Sequence, residues 1–505
     1  MARFFRSLPF FVVLMFTAAG AMQIPALYGT VTRDFDQARV FFYSGLLLGI
    51  AAMLIGIAMQ SRGRTETEQG YLLSLLLSYG WMPVILAVPM YEAVGNTRFI
   101  NAYFDMASAY TTTGADVFEP ARLSDTVHLW RGVVGWLGGL LIWISAVAIL
   151  APLNLGGYEV TSEAKLPGGM ISNAIQMKAA SPAERLRKHA ARLAPIYVGL
   201  TAVLSLALAL AGAPPHSATI HAMSTLSTSG ISPDGGLKNS PSGVFGEILI
   251  CLFFVFALSR RSFTSGFGVD VLGKLGRDRE VRLAAFAVVV LPTLLFVRHW
   301  IGAYEINDVA NAGAALTALW GSIFTVLSFL TTTGFISESW AEAQQWSGLP
   351  TPGLLLIGLV TMGGGVATTA GGLKLLRVYS LYKHGSREIG KLIHPHSVGG
   401  AGRLGRRIRR EGAYIAWVFF MLFMVSTAAI MLGLAATGIN FENAMVLAVA
   451  ALSTTGQLPA IAVDTPISYF SLSDAAKMLL TAGMILGRME TLVFIAIFNP
   501  AFWRR

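Results

Sequence analysis

The sequence predicts an all-α integral membrane protein in which one unit is used four times, and three observations predict it. Of 505 residues, 54% are apolar and 13% charged, where a soluble domain carries about 25% charged, and mean hydropathy is +0.62. Apolar stretches long enough to cross about 30 Å of hydrocarbon as helix recur along the whole chain. A short hydroxyl-rich run ending in glycine appears four times: Thr111-Thr112-Thr113-Gly114, Ser227-Thr228-Ser229-Gly230, Thr331-Thr332-Thr333-Gly334 and Ser453-Thr454-Thr455-Gly456. The glycines lie 116, 104 and 122 residues apart, each copy between two long apolar stretches, and a repeat on that length scale settles architecture first. A single copy would mean little, because Ser and Thr often bond back to their own helix and Gly is common in membrane helices.

Ten spans are expected, at 8–27, 38–60, 72–92, 126–152, 192–212, 242–258, 283–301, 350–375, 413–435 and 472–498. Arg3 and Arg6 precede an apolar run ending in small residues near Ala18 to Ala21, a pattern shared with signal peptides; the polytopic body behind it argues for an uncleaved first span. Residues 1–65 hold the first two spans, outside the repeats, which divide as 66–160, 185–282, 283–400 and 401–505. Cys251 is the only cysteine, so packing without an internal disulfide must hold the fold.

The net charge of +10 is unevenly placed. Arg185-Leu186-Arg187-Lys188, Arg260-Arg261, the run from Lys274 to Arg282, the segment from Arg377 to Arg410, and Arg504-Arg505 fall in connections on one side. The positive-inside rule makes that side cytoplasmic, together with both termini. The cluster from Arg403 to Arg410 reads as a topological anchor or a contact for anionic membrane lipid, and nucleic acid is not needed to explain the basicity. Asp116, Glu119, Asp234, Glu338, Glu342 and Asp464 sit in the opposite loops, where an acidic mouth modestly concentrates cations.

The segments before the four glycines are about 10 to 15 residues long and too short to span. They can enter and return, and a backbone that turns at membrane depth must be buried in protein or line a water-filled cavity. A short helix entering from outside aims its negative C-terminal end at the membrane middle, and four together favour a cation there. Glycine at the turn permits positive φ or close backbone approach. The residues before it, including Thr112, Thr113, Thr228, Ser229, Thr332, Thr333, Thr454 and Thr455, then offer carbonyls, with hydroxyls as further oxygens, to a dehydrated ion. A cage of neutral oxygens suits a weakly hydrated monovalent cation, since divalent ions want carboxylates and none lies inside these runs. Asp116 belongs to the exit of its loop.

Gly363, Gly364, Gly365, Thr368, Thr369, Gly371 and Gly372 crowd the middle of the eighth span. Glycine costs about 1 kcal/mol relative to Ala per helix position, so this stretch is poised to unwind, and a break in a pore-lining helix can act as a flap. Close helix approach through small residues is the other reading. Arg488 lies within an apolar span, where a charge is expensive and normally faces the bundle interior or water; snorkelling or a pair with Glu490 is its alternative. Lys374 and Arg377 read as anchors near the boundary. Enzyme readings fail: there is no phosphate-binding Gly-x-x-x-x-Gly-Lys-Ser/Thr run, and His394 and His396 without acidic or thiol companions do not make a metal site.

At these residues the chain resembles the Trk/Ktr/HKT superfamily of potassium transporters, most closely the membrane-embedded TrkH-type subunit of bacterial uptake systems. Besides the four loops, the resemblance rests on Trp136-Leu137-Gly138-Gly139, Met362-Gly363-Gly364-Gly365, Gly371-Gly372-Leu373-Lys374 with Arg377, and Leu392-Ile393-His394-Pro395. Leu486-Gly487-Arg488-Met489-Glu490 and the ending Pro500-Ala501-Phe502-Trp503-Arg504 complete it. It covers residues 70–505 and implies four M1-P-M2 units around one potassium-channel-like pore, with two extra N-terminal transmembrane helices. It further implies a potassium filter at the loops, an intramembrane gate loop at Gly363 to Lys374, and an Arg488 that points into the ion path. No cofactor is expected in the chain, potassium being the substrate. A homodimer in the bacterial inner membrane, docked on a cytosolic TrkA-type ring that binds NAD or ATP and ADP, is implied as well. Gly114, where a serine marks the sodium-preferring plant branch, argues for potassium. Gln457-Leu458-Pro459 after Gly456, and Phe256-Ala257-Leu258-Ser259 in the second repeat, depart from the family pattern and bear on selectivity. A carrier working by alternating access, whose repeats are usually inverted, and a non-conducting membrane sensor remain as alternatives.

Overall fold

The computed structural model describes residues 8–60, 68–153, 157, 182–238, 240–259, 276, 278–303, 312–348, 353–394, 410–463 and 465–490. Arg3, Arg6, Arg260, Arg261, Lys274, residues 403–409, Asp464, His396 and the closing run from 491 onward, with the end of the tenth expected span, lie outside them. Among the described residues all regular structure is helical.

Helices α1 (Phe10–Ala21) and α2 (Gln23–Val31) make one span, and α3 (Phe35–Gln60) returns against both. Then follow α4 (Glu68–Val94), the short α5 (Phe99–Tyr110) and α6 (Asp125–Ser145), which runs on through a π-helical turn at Ala146–Leu150. The next unit comprises α7 (Pro182–Leu210), the short α8 (Pro215–Ser227), α9 (Gly243–Phe253) and α10 (Val255–Leu258). The third has α11 (Arg279–Ala303), α12 (Ala312–Leu330), the surface helix α13 (Trp340–Ser347), α14 (Gly353–Met362) and α15 (Leu375–Ile393). The fourth has α16 (Arg410–Ala436), the short α17 (Phe441–Leu452) and α18 (Asp474–Met489).

Local chemistry sets several of these ends. Pro215 opens α8, where its missing N–H is harmless and its fixed φ is already helical. Asn440 caps α17 by accepting from Asn443 N at 3.0 Å, and Ser473 caps α18 from Ala476 N, each satisfying an orphan amide of a first turn.

Seven described helices are long and apolar enough to cross a bilayer, and part of the tenth expected span lies outside the described residues. Shorter apolar helices stand where the sixth and eighth spans are expected, at Gly243–Leu258 and at Gly353–Met362, the latter stopping before the glycine-rich stretch. Glycine there removes side-chain packing and raises the backbone entropy a helix must lose. The third re-entrant helix, α12, has 19 residues, longer than the sequence suggested, because its apolar first turns are as good a helix as its buried end.

Two apolar cores fill the body. One joins α1–α6 to α16–α18 around Tyr79, Phe104 and Trp130; the other joins units two and three around Phe254, Phe324 and Phe329. The four short helices end where these cores meet.

Candidate functional site

In every copy of the glycine motif the second residue turns left-handed, with φ of 57° at Thr112, 54° at Thr228, 57° at Thr332 and 55° at Thr454. For a β-branched residue this is a genuine outlier costing about 1–3 kcal/mol, tolerated only where surroundings over-determine it. Two residues on, Gly114, Gly230 and Gly334 are left-handed as well, at 67°, 66° and 82°.

The loops close a ring in chain order. A Cβ on Gly114 would collide with the carbonyl oxygen of Ser229, and one on Gly230 with the carbonyl oxygen of Thr333. One on Gly334 would meet Thr455 Cγ2 at 3.3 Å, and one on Gly456 would collide with Ala115 N. Gly456 N–H donates to the Thr113 carbonyl at 2.6 Å, and Thr455 Oγ1 to the Thr332 carbonyl at 3.4 Å. Residues more than 340 positions apart thus meet across one seam.

The hydroxyls divide by position. The first and third of each run approach each other, at 2.9 Å for Thr111 and Thr113, 3.0 Å for Ser227 and Ser229, 3.1 Å for Thr331 and Thr333, and 3.5 Å for Ser453 and Thr455. These bonds lie within single loops, and Thr455 Oγ1 reaches in addition the Thr332 carbonyl of the neighbouring loop. The second hydroxyls differ, with Thr112 and Thr454 buried and lacking a hydrogen-bond partner among the described residues.

Directly beneath runs the glycine-rich stretch. The helix ends at Met362 and resumes at Leu375, and the non-helical segment between is strapped from several sides. Gly365 N–H and Thr368 Oγ1 both donate to the Ala257 carbonyl at 3.0 Å, Val366 N–H donates to Glu280 Oε1 at 2.8 Å, and Thr369 Oγ1 donates to the Leu226 carbonyl at 3.1 Å. The 256–259 segment that departs from the family pattern is therefore what the strap hangs on. Gly371 N–H donates to Thr332 Oγ1 at 2.7 Å, and a Cβ on Gly371 would collide with Ser453 O and Thr454 Oγ1. Gly371 lies against two of the four loops with no room for a side chain.

Arg488 is buried and donates from Nη1 to the Thr369 carbonyl at 2.6 Å. Glu490 pairs instead with Arg377 at 2.6 Å, so the Arg488–Glu490 pair is not formed. Arg377 is 1% exposed and stacks its guanidinium 3.7 Å from the Phe419 ring centroid, while Lys374 is buried and donates to the Ala370 carbonyl. Reading these two as boundary anchors is thereby corrected: both are interior. Breaking one partner from a buried pair strands a charge and costs about 3–5 kcal/mol.

Sequence reasoning missed three polar anchors. Arg131 is buried and pairs with Asp105 at 2.9 Å and with Asp116. Glu247, also buried, accepts from Trp320 Nε1 at 2.7 Å, Ser337 Oγ at 2.8 Å and Glu338 N at 2.7 Å, tying unit two to the loop exit of unit three. Gln457 donates from Nε2 to the Gly114 carbonyl at 2.8 Å and to Asp116 Oδ2 at 2.7 Å. The cost of an ionisable residue within an apolar span, applied at Arg488, would have flagged Arg131 and Glu247 too. His221 is satisfied by Ser232 Oγ at 2.9 Å and His216 by the Asp125 carbonyl at 2.9 Å.

A family model described as "TrkH: Cation transport protein" matches residues 251–505. The Trk system potassium uptake protein TrkH of Salmonella typhimurium is 30% identical over 504 residues, covering 97% of this chain and 98% of that protein. The chain belongs to the TrkH family. Trk system potassium uptake protein TrkI of Halomonas elongata is 26% identical over 520 residues, covering 98% of this chain and 96% of that one. The crystal structure of the potassium transporter TrkH from Vibrio parahaemolyticus superposes with a TM-score of 0.79 at 25% identity, covering 99% and 100% of the two chains. A TrkH-family chain is a transporter and not an enzyme, and this one is an all-α multi-pass membrane protein.

Proposed function

We propose that this chain takes up potassium across the bacterial inner membrane through a selective, gated, channel-like pore. The observation that carries the reading is the closed ring of four loops, each with a left-handed threonine at the same place and each butting a glycine or its amide against its neighbour. Carbonyl oxygens held by such a ring replace the hydration shell of a monovalent cation. The filter is assigned to Thr112, Thr113 and Gly114, Thr228, Ser229 and Gly230, Thr332, Thr333 and Gly334, and Thr454, Thr455 and Gly456. The equivalence of the four bends supports parallel units around one axis, which the inverted repeats of carriers would not give.

The gate is the strap from Gly363 to Lys374 with Arg488. Gly371 seated under Thr332 and Thr454 blocks the way out of the ring, and the Arg488 charge beside Thr369 repels a cation that gets past. The names of the relatives support potassium as substrate. Both termini are assigned to the cytoplasm, the working form is a homodimer with one pore per protomer, and a separate cytosolic nucleotide-binding ring of the TrkA type controls the strap. The test is tracer potassium uptake into liposomes holding the purified chain, with and without sodium. Saturable uptake that sodium competes with poorly is expected; vesicles no leakier than empty ones would refute conduction.

A further inference from the structure

The four loops are not equivalent at their exits. After the glycines of the first three come Ala115, Ile231 and Phe335, each 1% exposed and tucked behind the ring. After the fourth comes Gln457, half-buried, and Gly456 alone among the four glycines does not take a left-handed φ. That change of backbone swings Gln457 across the mouth. A Cβ on Gly334 would meet Gln457 Cβ at 3.1 Å, and one on Gly230 would meet its Cγ at 3.5 Å, while its Nε2 reaches the Gly114 carbonyl and Asp116 at 2.8 and 2.7 Å. One side chain therefore bonds to the first loop and fills the space beside the glycines of the second and third.

Its far end is fixed. Asp116 is held by Arg131, Arg131 by Asp105 at 2.9 Å, and both Arg131 and Asp105 are buried. Gly456 is fixed in turn by Tyr469 Oη donating to its carbonyl at 2.9 Å and by its own N–H on the Thr113 carbonyl at 2.6 Å. The seam between the fourth and first loops joins the two ends of the repeat array, whose glycines Gly114 and Gly456 are the most distant in sequence of any adjoining pair. Hydrogen bonds cross it.

We infer that Gln457 is a specificity-determining residue: its amide ties the fourth loop to the first and holds the outermost carbonyls at the spacing of a large, weakly hydrated monovalent cation. The inference rests on the proposed potassium pore. Without the amide the Gly114 carbonyl loses its donor and the seam is free to close on a smaller ion such as sodium, since the width and stiffness of an oxygen cage decide which ion replaces its water at least cost.

Gln457→Ala removes the tie, and Gln457→Glu keeps the length while setting a carboxylate against Asp116 in place of the donor. Each is reconstituted beside the wild type for tracer uptake of potassium and sodium, and melting temperature in detergent is recorded in either salt. The expected result is a roughly tenfold loss of potassium preference in both variants, the size of losing a hydrogen bond to a charged group. The extra thermal protection by potassium over sodium should also disappear, with unchanged elution on size exclusion. Wild-type preference in both variants overturns the inference. So does a loss in Gln457→Ala that Gln457→Glu does not share, because volume rather than the donor would then matter. A wild-type protein without saturable potassium uptake sinks the pore reading itself and Gln457 with it, an outcome distinct from a conducting wild type whose variants keep their preference.

Discussion

At the scale of single residues, the threonine in second place of each motif carries the strain and the glycine in fourth place carries the fit. A non-glycine residue in left-handed backbone costs about 1–2 kcal/mol, and in all four such threonines the backbone N–H is bonded to the end of its own short helix. Gly114 has no such tolerance: any Cβ runs into the Ser229 carbonyl, one of the oxygens assigned to the filter. Gly334 has a little more room, its nearest neighbours being Gln457 Cβ at 3.1 Å and Thr455 Cγ2 at 3.3 Å. Gly114→Ser is therefore expected to lower the potassium-over-sodium uptake ratio in liposomes by roughly tenfold or more, and Gly334→Ser by less, the carbonyl geometry being what discriminates. Equal ratios for both variants and the wild type would separate the ring from selectivity. Glycine was legible as the special residue of the loop. The left-handed threonine was not, because nothing in its own chemistry favours that conformation and only the closed ring enforces it.

At the scale of elements, the strap between α14 and α15 is a break whose position could be read from composition and whose anchors could not. Glycine frequency says where a helix is weak. The carbonyl of Ala257, the carboxylate of Glu280 and the carbonyl of Leu226 that receive the strap come from elements 86 to 143 residues away and show no pattern in the chain. Arg377 illustrates the same limit. Near the end of a span its charge suggests the interface, yet it is taken inside by Glu490 and the face of Phe419, a combination that offsets the loss of water. Deleting Gly364 to Thr369 is expected to raise potassium flux roughly tenfold, about 1.4 kcal/mol of barrier, while leaving the potassium-over-sodium ratio intact, because the ring does not depend on the strap for its closure. Unaltered flux through a deletion variant that elutes normally and holds its melting temperature would show that the strap is no barrier.

At the scale of the whole molecule, the distribution of basic residues predicts the orientation. Cys251 is the only cysteine, so Cys251→Ser gives a background in which a single thiol reports sidedness. Glu119→Cys, at an exposed loop position on the side the short helices enter, is expected to react with a membrane-impermeant maleimide on intact cells. Lys391→Cys, exposed near the end of α15, should react only after the cells are opened. The reverse pattern would invert the proposed direction of the pore.

The sequence by itself determined the solvent, the helical class and the fourfold recurrence, because hydropathy over 20 residues and a motif with its flanks are local properties that no distant contact can change. It also located the glycines of the ring and of the strap. What only the tertiary structure decided was the ring's closure through Gly456 and Gln457 and the burial of Arg131, Glu247 and Arg377. Each of these depends on which residues, hundreds of positions apart, arrive within hydrogen-bond reach. Where water is scarce, that arrival decides whether a polar group is affordable.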